Sequence, residues 1–145
     1  MVAVAVTLVV ASALGVWLQR SGRRLGRSTR PVRPGGGTSS DGGTVVAAAD
    51  LGTDLGERAT LVQFSSAFCQ PCRATRRILD EVSSMLPGVA HVEVDAESHL
   101  ELVRRLDVRR TPTVLVLDAS GAVVRRASGQ PRKADVLAAL GEAVG

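Results

Sequence analysis

The chain has 145 residues, a net charge of +4, two cysteines, one tryptophan and no tyrosine. That length holds one ordinary domain and an appendage, and two cysteines are too few for a disulfide framework. Of the 18 basic residues, six arginines (Arg20, Arg23, Arg24, Arg27, Arg30 and Arg33) lie in residues 1–40 with no acid among them, so the rest of the chain is net −2 and its charge argues against a nucleic-acid partner.

Met1 to Leu18 is apolar apart from Thr7 and Ser12. As a helix, 18 residues would span roughly 27 Å, close to a hydrocarbon core of about 30 Å. Trp17 falls at the far end, where an interfacial aromatic is expected. Ala11-Ser12-Ala13 has the small-x-small form of a signal-peptide cleavage site, but no basic residue precedes the apolar run. We therefore expect a retained transmembrane anchor over residues 1–18. The arginine block follows it, so the positive-inside rule predicts the N-terminus outside and the rest of the chain in the cytoplasm. Residues 19–43, rich in arginine, glycine, proline and serine, read as a linker with an r.m.s. reach of roughly 25–30 Å.

A domain is expected over residues 44–145. Thr44 to Leu51 is ambiguous. Ala59 to Ser65 reads as a buried strand. A helix over about Pro71 to Met85 places Ile78, Leu79, Val82 and Met85 on one face, and Pro87-Gly88 ends it. Val89 to Asp95 alternates as a strand, with His91, Glu93 and Asp95 opposite Val92 and Val94. A helix is predicted over about Glu97 to Leu106, and an aliphatic strand over Thr113 to Leu117. A turn follows at Asp118 to Gly121, then a partner strand over Ala122 to Ala127, and a last helix over about Arg132 to Val144. The order β-α-β-α-β-β-α implies an α/β fold with helices on both faces of a mixed sheet.

Both cysteines lie in Phe68-Cys69-Gln70-Pro71-Cys72, at the junction of the first strand and first long helix. A C-x-x-C pair there is a redox motif. Cys69 at a helix start gains from unpaired N–H groups and the helix dipole, which favour its thiolate. Cys72, one turn on, can attack a mixed disulfide formed at Cys69. A zinc half-site completed by His91 and His99 is the rival reading. It lacks a second C-x-x-C and finger-like histidine spacing, so no metal is expected. Arg73 rather than histidine follows Cys72, which excludes covalent haem attachment.

These features together resemble the thioredoxin family over residues 59–145. Leu61-Val62-Gln63-Phe64 resembles its central strand, Ile78-Leu79-Asp80-Glu81 the middle of its active-site helix, and Val92-Glu93-Val94-Asp95 its next strand. Thr111-Pro112-Thr113, the following aliphatic run and Ser120-Gly121 resemble its cis-proline loop and hairpin, and Gly129 falls where a glycine precedes the last helix. The resemblance implies a thioredoxin fold and a protein-disulfide oxidoreductase that needs no cofactor. Cys69 and Cys72 would be catalytic. Phe68, Gln70, Pro71, Thr111 and Pro112 would meet the substrate, with Pro112 cis. The implied partners are protein thiols and disulfides and a separate electron-donating reductase, with the N-terminal helix contacting the membrane.

The sequence departs from the family pattern at several points. Gln70-Pro71 replaces Gly-Pro between the cysteines, and Ser65 and Phe68 stand where tryptophans are usual. Gln63 takes the place of the buried aspartate that handles the Cys72 proton, and His91 that of its lysine partner. Glutamine cannot titrate and histidine can, so His91 is a candidate for that proton transfer. A packed strand histidine is the alternative. Arg73, Arg76, Arg77, Arg109 and Arg110 would form a basic rim favouring acidic partners. The favoured activity is reduction of protein partners at the cytoplasmic membrane face. The alternatives are an extracytoplasmic domain feeding reductant to envelope proteins, and a non-catalytic binding module.

Overall fold

The structure, a computed structural model, describes residues 38–39 and 43–145. These belong to the second of the chain's two units, Pro34–Gly145. The anchor expected over residues 1–18, and most of the linker, lie outside the described residues. Among the described residues no helix is long and apolar enough to cross a membrane.

The elements are β1 (Thr38–Ser39), α1 (Ala48–Leu51), β2 (Ala59–Ser65), α2 (Gln70–Met85), β3 (Val89–Asp95), α3 (Leu100–Arg105), β4 (Thr113–Asp118), β5 (Val123–Ser128) and α4 (Lys133–Ala143). They form one sheet in the order β1-β5-β4-β2-β3. β2 pairs in parallel with β3 and antiparallel with β4, and β5 closes a hairpin against β4. β2 is thus bonded on both sides, and every one of its residues is buried.

Alternation along the strands builds two apolar layers. Ala59 and Leu61 of β2 join Val114 and Val116 of β4 beneath Leu79, Val82, Val136 and Leu140 of α2 and α4. Val62 and Phe64 point the other way, with Leu115 and Leu117, onto Val46, Leu102 and Leu106. Full burial of each such aliphatic side chain contributes roughly 1.5–3 kcal/mol. The near-continuous apolar runs in β2 and β4 are what a sheet covered on both faces requires.

Three local differences from the sequence expectation have physical causes. The helix expected from Glu97 begins at Leu100, because the Asp95 carboxylate binds the Glu97 N–H and the Ser98 hydroxyl and holds that stretch as a turn. The strand expected from Ala122 begins at Val123. Asp118 Oδ1 accepts from the N–H groups of Ser120 and Ala122, which draws Ala122 into the turn, and the ladder shifts register at Val116/Leu117. Gly121 sits in that turn at φ +84°, and a Cβ there would lie 2.3 Å from the Val46 carbonyl oxygen, so glycine alone fits. Finally, Thr38–Ser39, within the stretch read as linker, pairs with Ala127 and Arg126 of β5. Backbone ladder bonds need no particular side chain, so the sequence carries no mark of them.

Candidate active site

α2 begins where β2 has just ended, and Cys69 is its N-cap residue. Cys69 and Cys72 are joined as a disulfide, with S–S 2.02 Å. The Cys72 N–H points at Cys69 Sγ, 3.2 Å away. In the reduced protein the same N–H and the positive end of a 16-residue helix would face the Cys69 thiolate. Pro71 lies in the first helical turn, where its missing N–H costs no helix bond. Cys69 is half-buried and Cys72 only 2% exposed. The sulfur an incoming partner can meet is therefore that of Cys69. Phe68 beside it is 96% exposed, and Gln70 and Pro71 are also on the surface.

The Phe64↔Thr113 register carries the segment before β4 past the end of β2. Thr111–Pro112 is a cis peptide, and the Pro112 carbonyl accepts from Gly129 N–H at 2.8 Å. Ser66 Oγ and Thr111 Oγ1 are 3.0 Å apart, which ties the loop before Cys69 to the cis-proline loop across 45 residues of sequence. Sequence reasoning missed this bond. The only trace of it is Ser65-Ser66-Ala67, small residues that let the two loops approach.

Beneath Cys72 lies Gln63, fully buried. Its Nε2 donates to the Cys72 carbonyl at 2.9 Å and to Ser65 Oγ at 2.8 Å, while its Oε1 is buried without a partner. His91 lies on the same face of the neighbouring strand. Its side chain is 7% exposed, its Nδ1 is 2.7 Å from Asp80 Oδ1 of α2, and its Nε2 is also buried and unpartnered. One helical turn nearer the cysteines, Arg76 binds Glu93 at 2.7 Å. Burial pushes the Glu93 carboxyl up, but bonds from Arg76 and Ser65 outweigh it and hold the group below its ordinary range. The two rungs arise because four residues of helix and two of strand both advance about 6 Å. Asp80 was missed as the His91 partner, although the 72, 76, 80 spacing on α2 set against 91 and 93 on β3 contains the signal.

The basic rim is partly neutralised. Arg76 is held by Glu93 and Arg109 by Asp107, leaving Arg73, Arg77 and Arg110 without ion pairs among the described residues. His99 Nδ1 lies 3.0 Å from the Asp95 carbonyl and His91 Nδ1 lies 2.7 Å from Asp80 Oδ1, so neither Nδ1 is turned to the cysteines. Among the described residues no cluster of His, Cys, Asp or Glu is arranged to hold a metal.

An accessible sulfur at a helix N-cap, a buried second sulfur one turn on and a cis-proline loop tied beside them make a thiol–disulfide oxidoreductase site. The thioredoxin family model, described as Thioredoxin, matches residues 46–142. The thioredoxin of Mycolicibacterium smegmatis is 30% identical over 112 residues, covering 73% of this chain and 99% of that protein. Thioredoxin H5 of Oryza sativa subsp. japonica is 35% identical over 60 residues, covering 41% of this chain and 44% of that protein, so the chain spans less than half of that relative. The chain belongs to the thioredoxin family. Among solved structures, thioredoxin F from spinach chloroplast shares its fold at TM-score 0.55 and 21% identity, over 62% of this chain and 80% of that one. Fasciola hepatica thioredoxin does so at TM-score 0.54 and 23% identity, over 61% and 83%.

Proposed function

We propose that the chain reduces disulfides of protein partners at the cytoplasmic face of a membrane, held there by residues 1–18 and the basic linker. The observation that carries the chemistry is the contrast in access between the two sulfurs, Cys69 at the surface and Cys72 behind it. The Cys69 thiolate attacks a partner disulfide, forms a mixed disulfide and expels one partner sulfur as thiolate. Cys72 then gives up its proton and attacks Cys69 Sγ. The second partner sulfur leaves, the partner is reduced by two electrons, and the Cys69–Cys72 disulfide is formed. A separate reductase must restore the dithiol. The exposed Phe68 ring, Gln70, Pro71 and the half-buried Thr111 form the surface a partner chain meets, while Pro112 itself is buried. The apolar run over Met1–Leu18 and the arginines after it support the anchor and its orientation.

Insulin reduction by the purified full-length chain in detergent, with dithiothreitol as donor, tests the activity. We expect the rate above dithiothreitol alone to vanish when Cys69 and Cys72 are alkylated; no excess rate with both cysteines free would favour a binding module. A membrane-impermeant thiol label on intact cells tests the orientation. Protection of Cys69 until the cells are lysed is expected, and labelling before lysis would place the domain outside.

A further inference from the structure

We propose that His91, paired with Asp80, takes the Cys72 proton through a water that it shares with Gln63. This rests on the reading of Cys72 as the resolving thiol. Two buried polar atoms carry the argument, Gln63 Oε1 and His91 Nε2, both without partners. The β2–β3 register pairs Leu61 with His91 and Gln63 with Glu93, so Gln63 and His91 are diagonal neighbours under α2. A buried polar atom left unpaired costs roughly 1–3 kcal/mol, and one water between these diagonal neighbours would relieve both.

The chemistry of the two atoms defines that partner. The Asp80 carboxylate accepts from His91 Nδ1–H, which leaves Nε2 of the neutral ring as an acceptor. Gln63 Nε2 is committed to the Cys72 carbonyl and Ser65, so Oε1 is also an acceptor. One water donating to each satisfies both. It would lie beside Gln63, whose Nε2 donates to the Cys72 carbonyl.

During resolution the Cys72 S–H bond breaks. The proton passes through the water to His91 Nε2, and the sulfur electron pair attacks Cys69 Sγ. Asp80, whose side chain is 61% exposed, stabilises the imidazolium and connects it to solvent. The charged groups around the ring are Asp80 and Arg76 from α2 and Glu93 from β3, while Gln63 from β2 adds no charge. Among the described residues β3 is the sheet edge, with no strand beyond it, and Lys133 of α4 is held by Glu81. His91 therefore acts through water and does not touch the reacting sulfurs.

The test uses the reduced full-length chain in detergent and an aromatic disulfide that releases a coloured thiolate. The first equivalent reports attack by Cys69, and the second, unimolecular phase reports resolution by Cys72. In the wild type the second phase should accelerate with pH across the pH 5–8 window in which histidines as a class change charge. His91→Gln should lose that step and slow the phase at pH 7 on the order of 100-fold, the low end of general-base contributions. Asp80→Asn removes the charge that stabilises the imidazolium, so the second phase should slow at pH 7. Asp80 is exposed, so that variant decides the matter even if His91→Gln fails to fold. A wild-type rate of the second phase in Asp80→Asn, or the pH-dependent step retained in a folded His91→Gln, would overturn the relay while leaving dithiol exchange intact. A wild type with no second phase would remove both.

Discussion

Cys72→Ser should convert turnover into a trap. Cys69 in that variant keeps its place at the N-cap of α2 and still forms a mixed disulfide, but no buried sulfur stands one turn on to release it. We expect essentially all insulin reduction to be lost and one covalently held partner to accumulate per chain, visible on a non-reducing gel and reversed by dithiothreitol. Cys69→Ser should lose turnover equally and trap nothing, because Cys72 is 2% exposed and a partner disulfide cannot reach it. The pair of variants therefore assigns the two roles separately. An adduct in Cys69→Ser but not in Cys72→Ser would reverse them.

Phe64→Ala should produce the largest loss of stability among substitutions remote from the sulfurs. Phe64 is fully buried on β2, the strand bonded on both sides, and is the largest side chain of the layer holding Val46, Leu102, Leu106 and Leu117. Truncation removes its transfer free energy and leaves a cavity, a cost of about 3–5 kcal/mol. For a domain near 100 residues each kcal/mol shifts Tm by roughly 4–8 °C, so a fall of about 12 °C or more is expected. Circular dichroism during urea or thermal unfolding is the suitable probe, since the only tryptophan, Trp17, lies before the domain. The contrast is Phe68, the other phenylalanine, which is 96% exposed. Phe68→Ala should change stability by no more than about 0.5 kcal/mol while raising the KM for a protein disulfide. A loss below 1 kcal/mol for Phe64→Ala would mean that β2 is not the centre of the core.

The strands and long helices were legible because burial writes itself into period. Leu61, Val62 and Phe64 form an apolar run interrupted by Gln63 because β2 is covered on both faces, and Ile78, Leu79 and Val82 recur at helical spacing. The cysteine pair was legible because the exchange chemistry needs both sulfurs within one turn. Tertiary bonds between short polar side chains were not. Ser66 and Thr111 meet only because the β2–β4 register brings their loops together, and neither residue differs from an ordinary loop serine or threonine. Asp80 was placed in the middle of the active-site helix without its partner, since its pairing with His91 depends on α2 and β3 running side by side in opposite directions. The start of α3 was misplaced because Asp95 competes for local N–H groups, an effect that periodicity cannot report.

Two polar residues under one active-site helix thus have distinct tasks in this account. Gln63 is uncharged and fixes the Cys72 backbone, while His91 and Asp80 lead toward solvent. The separation matters because a buried group that cannot ionise adds no proton of its own to the exchange equilibrium.

The equilibrium reduction potential of Cys69–Cys72 against a glutathione redox series decides the direction of electron flow. A reductant of protein disulfides must lie at or below the cytosolic glutathione poise. We expect a value more negative than about −230 mV, toward the roughly −270 mV of thioredoxin. A value in the range of about −180 to −120 mV, where isomerases and oxidants lie, would contradict reduction of partners and make the protein a donor of disulfides.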